Sequence, residues 1–83
     1  MSEPDPIEAQ ILALTSARGS GKSICPSEVA RSLADEWRPL MSVVRAEAAR
    51  LARAGRIDIL RKGKRVEPDA MHGVIRLRAR SVG

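Results

Sequence analysis

Residues 38–54 read Arg-Pro-Leu-Met-Ser-Val-Val-Arg-Ala-Glu-Ala-Ala-Arg-Leu-Ala-Arg-Ala, and Gly55 closes them. On a wheel of ~100° per residue, Leu40, Val44, Ala48 and Leu51 share one stripe. Arg38, Ser42, Arg45, Ala49 and Arg53 share the opposite one. The first stripe can be buried, and the second presents guanidinium groups among small residues. Pro39 sets the first turn, so the pattern predicts a helix from Arg38 to Ala54, with Gly55 in the left-handed position just past its end. Glu47 falls near the edge of the buried stripe, where it can bridge to Arg50 or Arg31.

Working towards the C-terminus, Ile57–Arg61 and Val74–Arg80 both alternate as strands do. In the second, Ile75, Leu77 and Ala79 face one way and Arg76, Arg78 and Arg80 the other. Between them lies the basic turn Arg61-Lys62-Gly63-Lys64-Arg65. The whole connection from Lys62 to Gly73 is longer than a tight hairpin needs and contains Pro68, so it is expected to form a wide loop rather than a two-residue turn.

Towards the N-terminus, a first helix is expected from Pro6 to Ala17, capped by Asp5, with Ile7, Ile11 and Leu14 as its core stripe. Arg18 and Gly19 end it. Ser23-Ile24 can make a two-residue strand before a second helix from Pro26 to Asp35, whose inward residues are Val29, Ala30 and Leu33. Residues 1–6 read as a short acidic lead-in and 7–83 as one domain. The element order is helix, short strand, helix, helix, strand, wing, strand. That is an α+β arrangement of the winged helix-turn-helix kind, with three helices and a small antiparallel sheet.

Composition agrees with a small domain. The 83 residues are 43% hydrophobic, with no Phe or Tyr and a single Trp, so the core must come from Ile, Leu, Val, Ala and Met. Enzyme pockets of ~300 Å³ or more need walls that so short a chain hardly supplies, and a non-enzymatic role is expected. The net charge of +5 is polarised: residues 1–36 carry −3 and residues 37–83 carry +8. A chain with such a gradient orients in the field of a polyanion.

Double-stranded DNA is therefore the expected partner. Arg38, Ser42, Arg45 and Arg53 would meet the major groove, where arginine takes guanine O6 and N7 and serine bonds a base or a phosphate. Arg61, Lys62, Lys64 and Arg65 would meet phosphates, adding affinity and salt dependence but no sequence choice. The role would be that of a transcription regulator. The alternative is an interaction module of the same fold that docks an acidic protein. Oligomeric state is not legible.

Other residues read as structural. Trp37 is expected to plug the gap between the second and third helices rather than stack on a base. Gly19-Ser20-Gly21-Lys22-Ser23 imitates a phosphate loop but lacks the leading glycine and follows a helix rather than a strand, so a plain turn is expected. Cys25 and His72 are too few for a zinc site, and no cofactor or metal is implied. Cys25 reads as a part-buried structural thiol and His72 as exposed. One cysteine and no long apolar run point to a reduced, cytoplasmic protein without a membrane span.

The wording Lys22-Ser-Ile-Cys-Pro-Ser-Glu-Val-Ala-Arg31, then Trp37-Arg-Pro-Leu-Met41 and Leu51-Ala-Arg-Ala-Gly-Arg-Ile57, resembles a small bacterial family of unknown function. Lys62-Gly-Lys-Arg-Val-Glu-Pro68 and Gly73-Val-Ile-Arg-Leu-Arg78 resemble it too. The resemblance implies a winged-helix fold in a bacterial cytosolic protein and carries no activity with it.

Overall fold

The computed structural model describes residues 5–19 and 21–80. Its elements are α1 (Pro6–Arg18), α2 (Pro26–Leu33), a 3-10 turn (Arg38–Leu40) and α3 (Met41–Arg53). β1 (Ile57–Arg61), β2 (Lys64–Val66), a second 3-10 turn (Pro68–Ala70) and β3 (Arg76–Ala79) follow. The strands form one antiparallel sheet in the order β2-β1-β3. This is the α+β class expected.

Each helix packs one face against the sheet or its neighbours. Ile11 of α1, Val29 and Ala30 of α2, and Val44, Ala48 and Leu51 of α3 meet Ile57 and Ile59 of β1 and Leu77 of β3 in a single cluster. Ile24 joins that cluster and ties the α1–α2 connection to the sheet. Its N–H donates to the Leu77 carbonyl and the Leu77 N–H to its own carbonyl, both at 2.8 Å. Thr15 is the buried polar residue of α1. Its hydroxyl donates to the Ile11 carbonyl at 2.8 Å, which satisfies it inside the helix.

Helix ends follow local chemistry. Asp5 caps α1 by accepting from the Ile7 N–H at 2.8 Å, with Pro6 in the first turn. Of the lead-in expected over residues 1–6, residues 1–4 lie outside the described residues, while Asp5 and Pro6 belong to the start of α1. The far end of α3 is a Schellman closure. The Arg56 N–H reaches the Leu51 carbonyl at 2.9 Å and the Gly55 N–H reaches that of Ala52 at 3.0 Å, with Gly55 at φ +77°.

Several boundaries differ from the sequence reading. α2 stops at Leu33 rather than Asp35, because Ala34 turns to an extended conformation. Arg38–Leu40 is a 3-10 turn, and the α-helix begins at Met41. Ala49, placed among the exposed arginines by the wheel, is only 8% exposed, so the buried face of α3 is wider than a four-residue stripe. The last strand starts at Arg76; Ile75 is buried before it and Val74 is 85% exposed.

The largest correction concerns the connection from Lys62 to Gly73. It is not a wide loop from its start. β1 and β2 are joined by the two residues Lys62-Gly63, at φ +52° and +81°, and pair as Arg61↔Lys64, Leu60↔Arg65 and Ile59↔Val66. Positive φ at both central residues is the type I′ hairpin requirement, which matches the right-handed twist of the strands. Pro68 does not widen the turn. It ends β2, since proline has no N–H to continue a ladder.

Candidate nucleic-acid interface

The arginines of α3 do not project together into solvent. Arg45 is half-buried, and its guanidinium donates to the carbonyl of Met71 at 3.0 Å and of Gly73 at 3.2 Å. Arg53 donates to Asp69 Oδ1 at 3.1 Å. These two side chains fasten the segment after β2 along the helix. Arg50 is held by Glu47 one turn earlier and by Glu8 of α1 at 3.1 Å. The Glu47 hydrogen bond, helped by Glu8, raises the Arg50 pKa above its ordinary value. Glu47 therefore takes Arg50 of its two expected partners.

The start of the helix differs again. Arg38 lies over the Trp37 ring at 4.6 Å, and Arg31 of α2 lies over the same ring at 4.5 Å. Trp37 itself packs against the core, as a plug between α2 and α3 should. Ser42, expected to read bases, is exposed on α3, and so are its neighbours Pro39, Val43 and Ala46. Near its start the open face of this helix is thus small and uncharged, while Arg50 and Arg53 are exposed further along with their carboxylate partners.

The hairpin presents the opposite picture. Lys62, Lys64 and Arg65 are exposed and Arg61 is half-buried. No carboxylate among the described residues lies within ion-pair distance of any of the four. Four cations in five residues are held by a turn whose φ angles are set by Lys62 and Gly63. Such a tip offers its charge without first breaking an internal bond.

The outer face of the sheet continues the positive surface, with one carboxylate set into it. Asp58 is nearly buried and accepts from Arg78, its cross-strand partner, at 2.9 Å, with Arg80 Nε at 3.8 Å. Arg76 donates to the hydroxyl of Ser23 at 2.6 Å and to its carbonyl at 2.9 Å, which fastens β3 to the α1–α2 connection. Glu28 anchors the same corner. Its carboxyl is held below the ordinary 4.5, chiefly because the Cys25 N–H donates to it at 2.8 Å, with Arg18 and Arg76 adding to the effect.

Of the eight residues proposed from sequence, the structure brings Arg61, Lys62, Lys64 and Arg65 together. It keeps Arg38 and Ser42 at one end of α3 and commits Arg45 and Arg53 to the 67–73 segment. Asp69, Met71 and Gly73, the partners of those two arginines, carry no motif. Backbone carbonyls leave no trace in a side-chain pattern. After α1 the Lys22 N–H donates to the Gly19 carbonyl at 3.2 Å. No cluster of three metal-ligating side chains occurs among the described residues, and none of their helices is long and apolar enough to cross a membrane.

The chain belongs to a family described as proteins of unknown function (DUF3253), whose model matches residues 4–80. No curated protein matches it.

Proposed function

We propose that this member of the family is a non-enzymatic, winged-helix domain that binds double-stranded DNA, led by the Arg61–Arg65 hairpin. The single observation that carries the reading is the tight hairpin tip with four cations and no carboxylate partner among the described residues. The winged-helix assignment rests on element order. Ile24 stands where the short strand between the first two helices belongs, and the β1–β2 hairpin enlarges the wing before β3 returns.

In this reading the hairpin tracks phosphates, and the start of α3 offers the groove the uncharged Ser42, Val43 and Ala46, with Arg38 and Pro39 of the preceding 3-10 turn at the entry. Small apolar side chains suit thymine methyl groups, and a serine hydroxyl bonds either bases or phosphates. Most affinity would come from counterion release and little from base choice. A regulator of transcription built on one such module would need a second copy to select a site.

The test is fluorescence anisotropy of a random-sequence duplex over a salt series. Four phosphate contacts predict a log–log slope of about −3.6. A duplex that fails to bind at low salt would remove the proposal. So would binding unaffected by salt or displaced only by an acidic protein, which would favour the protein-docking alternative.

A further inference from the structure

A second site shares Arg65 with the hairpin and otherwise lies beyond the far end of β2. β1 begins at Ile57, but its pairing with β2 starts only at Ile59, so the sheet has a notch where β2 stops at Val66 and the chain leaves through Pro68. An open cavity of about 360 Å³ occupies this notch, between the end of α3 and the sheet. That is the lower range of small-molecule sites, ~300–1,000 Å³.

Three arginines from three different parts of the chain line it: Arg53 from α3, Arg65 from β2 and Arg80 just after β3. Each retains hydrogen-bonding capacity. Arg65 has no carboxylate partner among the described residues. Arg53 holds Asp69, but that carboxylate is 92% exposed, and water competes for the pair. Arg80 stands 3.8 Å from an Asp58 already bonded to Arg78 at 2.9 Å. Gly55 leaves room for Arg80, since a Cβ there would come within 3.2 Å of its Nη1.

Glu67 and Asp58 also line the cavity. Their charges oppose a long polyanion more than a compact anion that reaches the arginines alone. Val66 and Pro68 add an apolar wall for the body of a ligand.

We propose that the notch bounded by Arg53, Arg65 and Arg80 binds a terminal phosphate monoester. Arginine side chains bond phosphate oxygens in forked pairs, and a monoester has three non-bridging oxygens, one more than a diester phosphate and one more than a carboxylate has oxygens. The monoester could be carried by a mononucleotide or by the 5′ end of a nucleic-acid strand, and the chemistry at the site is the same.

The experiment is a nitrogen–proton NMR titration of the full chain with adenosine 5′-monophosphate, with adenosine, and with a short duplex bearing either a 5′-phosphate or a 5′-hydroxyl. The expected result is a saturable response at Ile57, Val66 and Glu67 to the monophosphate and none to adenosine. Arg65→Ala and Arg80→Ala should each weaken it about tenfold, and Arg65→Lys should restore part of the loss. A preference for the phosphorylated duplex with no response to the mononucleotide would assign the monoester to a strand end. Lack of preference for the phosphate in both arms overturns the proposal, as does unaltered binding by folded Arg65→Ala and Arg80→Ala. Lys62→Ala/Lys64→Ala should lose duplex affinity while keeping monophosphate binding, so this site and the hairpin interface fail separately.

Discussion

Helix α3 and the β1–β2 hairpin carry similar positive charge in sequence, yet the fold uses it in opposite ways. The arginines of α3 are cross-links: Arg45 holds two carbonyls of the 67–73 segment, Arg50 holds Glu47 and Glu8, and Arg53 holds Asp69. The hairpin cations hold nothing among the described residues. The difference follows from reach. A long side chain on a packed helix lies beside other segments that offer acceptors, whereas a two-residue turn projects beyond them. Counting arginines therefore says little about a binding surface until their acceptors are known.

The contrast breaks first, and most visibly, at the hairpin. Lys62→Ala/Lys64→Ala should lower duplex affinity about tenfold or more at moderate salt and flatten the salt slope by about 2, with folding unaffected. Anisotropy across a salt series measures both quantities. An unchanged slope would mean the tip does not meet phosphates.

Next comes Arg45→Ala, where the effect should appear in stability. Losing two charge-assisted bonds to carbonyls should cost about 1–2 kcal/mol in urea denaturation and speed hydrogen exchange at Met71–Gly73. The sequence alone assigned Arg45 and Arg53 to the duplex. For Arg53, 59% exposed and paired with a still more exposed Asp69, small stability loss remains the expectation. Equal stability losses for the two variants would contradict the distinction drawn between them.

Gly63→Ala probes the turn itself. At φ +81° a Cβ is strained although the surrounding space is open, and the cost should be about 1 kcal/mol. Because the charges are retained, duplex affinity should fall only as far as the tip loses its shape. A variant that binds as well as the parent would show that charge suffices without this turn geometry.

The smallest effect lies far from both regions. The Glu28 pKa is lowered in the fold, so its stabilisation is complete above the ordinary value of 4.5 and disappears as pH falls through the lower folded value. Glu28→Gln should cost only about 0.5 kcal/mol or less at neutral pH, with the gap to the parent closing in acid. The 38% exposed side chain is screened by solvent, and Gln can still accept from the Cys25 N–H. Denaturation at a series of pH values checks it. Duplex binding should not change.

How much of this was legible can be argued residue by residue. The helices were, because Ile11, Val29, Val44, Ala48 and Leu51 recur at helical spacing and Asp5 and Gly55 punctuate the ends. So was the outward face of β3, through the alternation of Arg76 and Arg78 with Leu77. The tight hairpin was misread because Pro68 drew attention to the length of the connection, while the residue that mattered was Gly63, able to take a left-handed turn beside Lys62. The Arg50–Glu47 pair was visible as a local spacing. The Arg45 contacts were not, since their acceptors are main-chain carbonyls 26 and 28 residues away. Nor was the notch, which exists only because β2 ends before β1 does.

The most direct test is an NMR titration of the chain with a random duplex at low salt. The account predicts the largest shifts at Arg61–Arg65, smaller ones at Ser42, Val43 and Ala46, and little at Arg45 or Arg53. Shifts concentrated at Arg45–Arg53 with a silent hairpin, or no shifts at all, would contradict it.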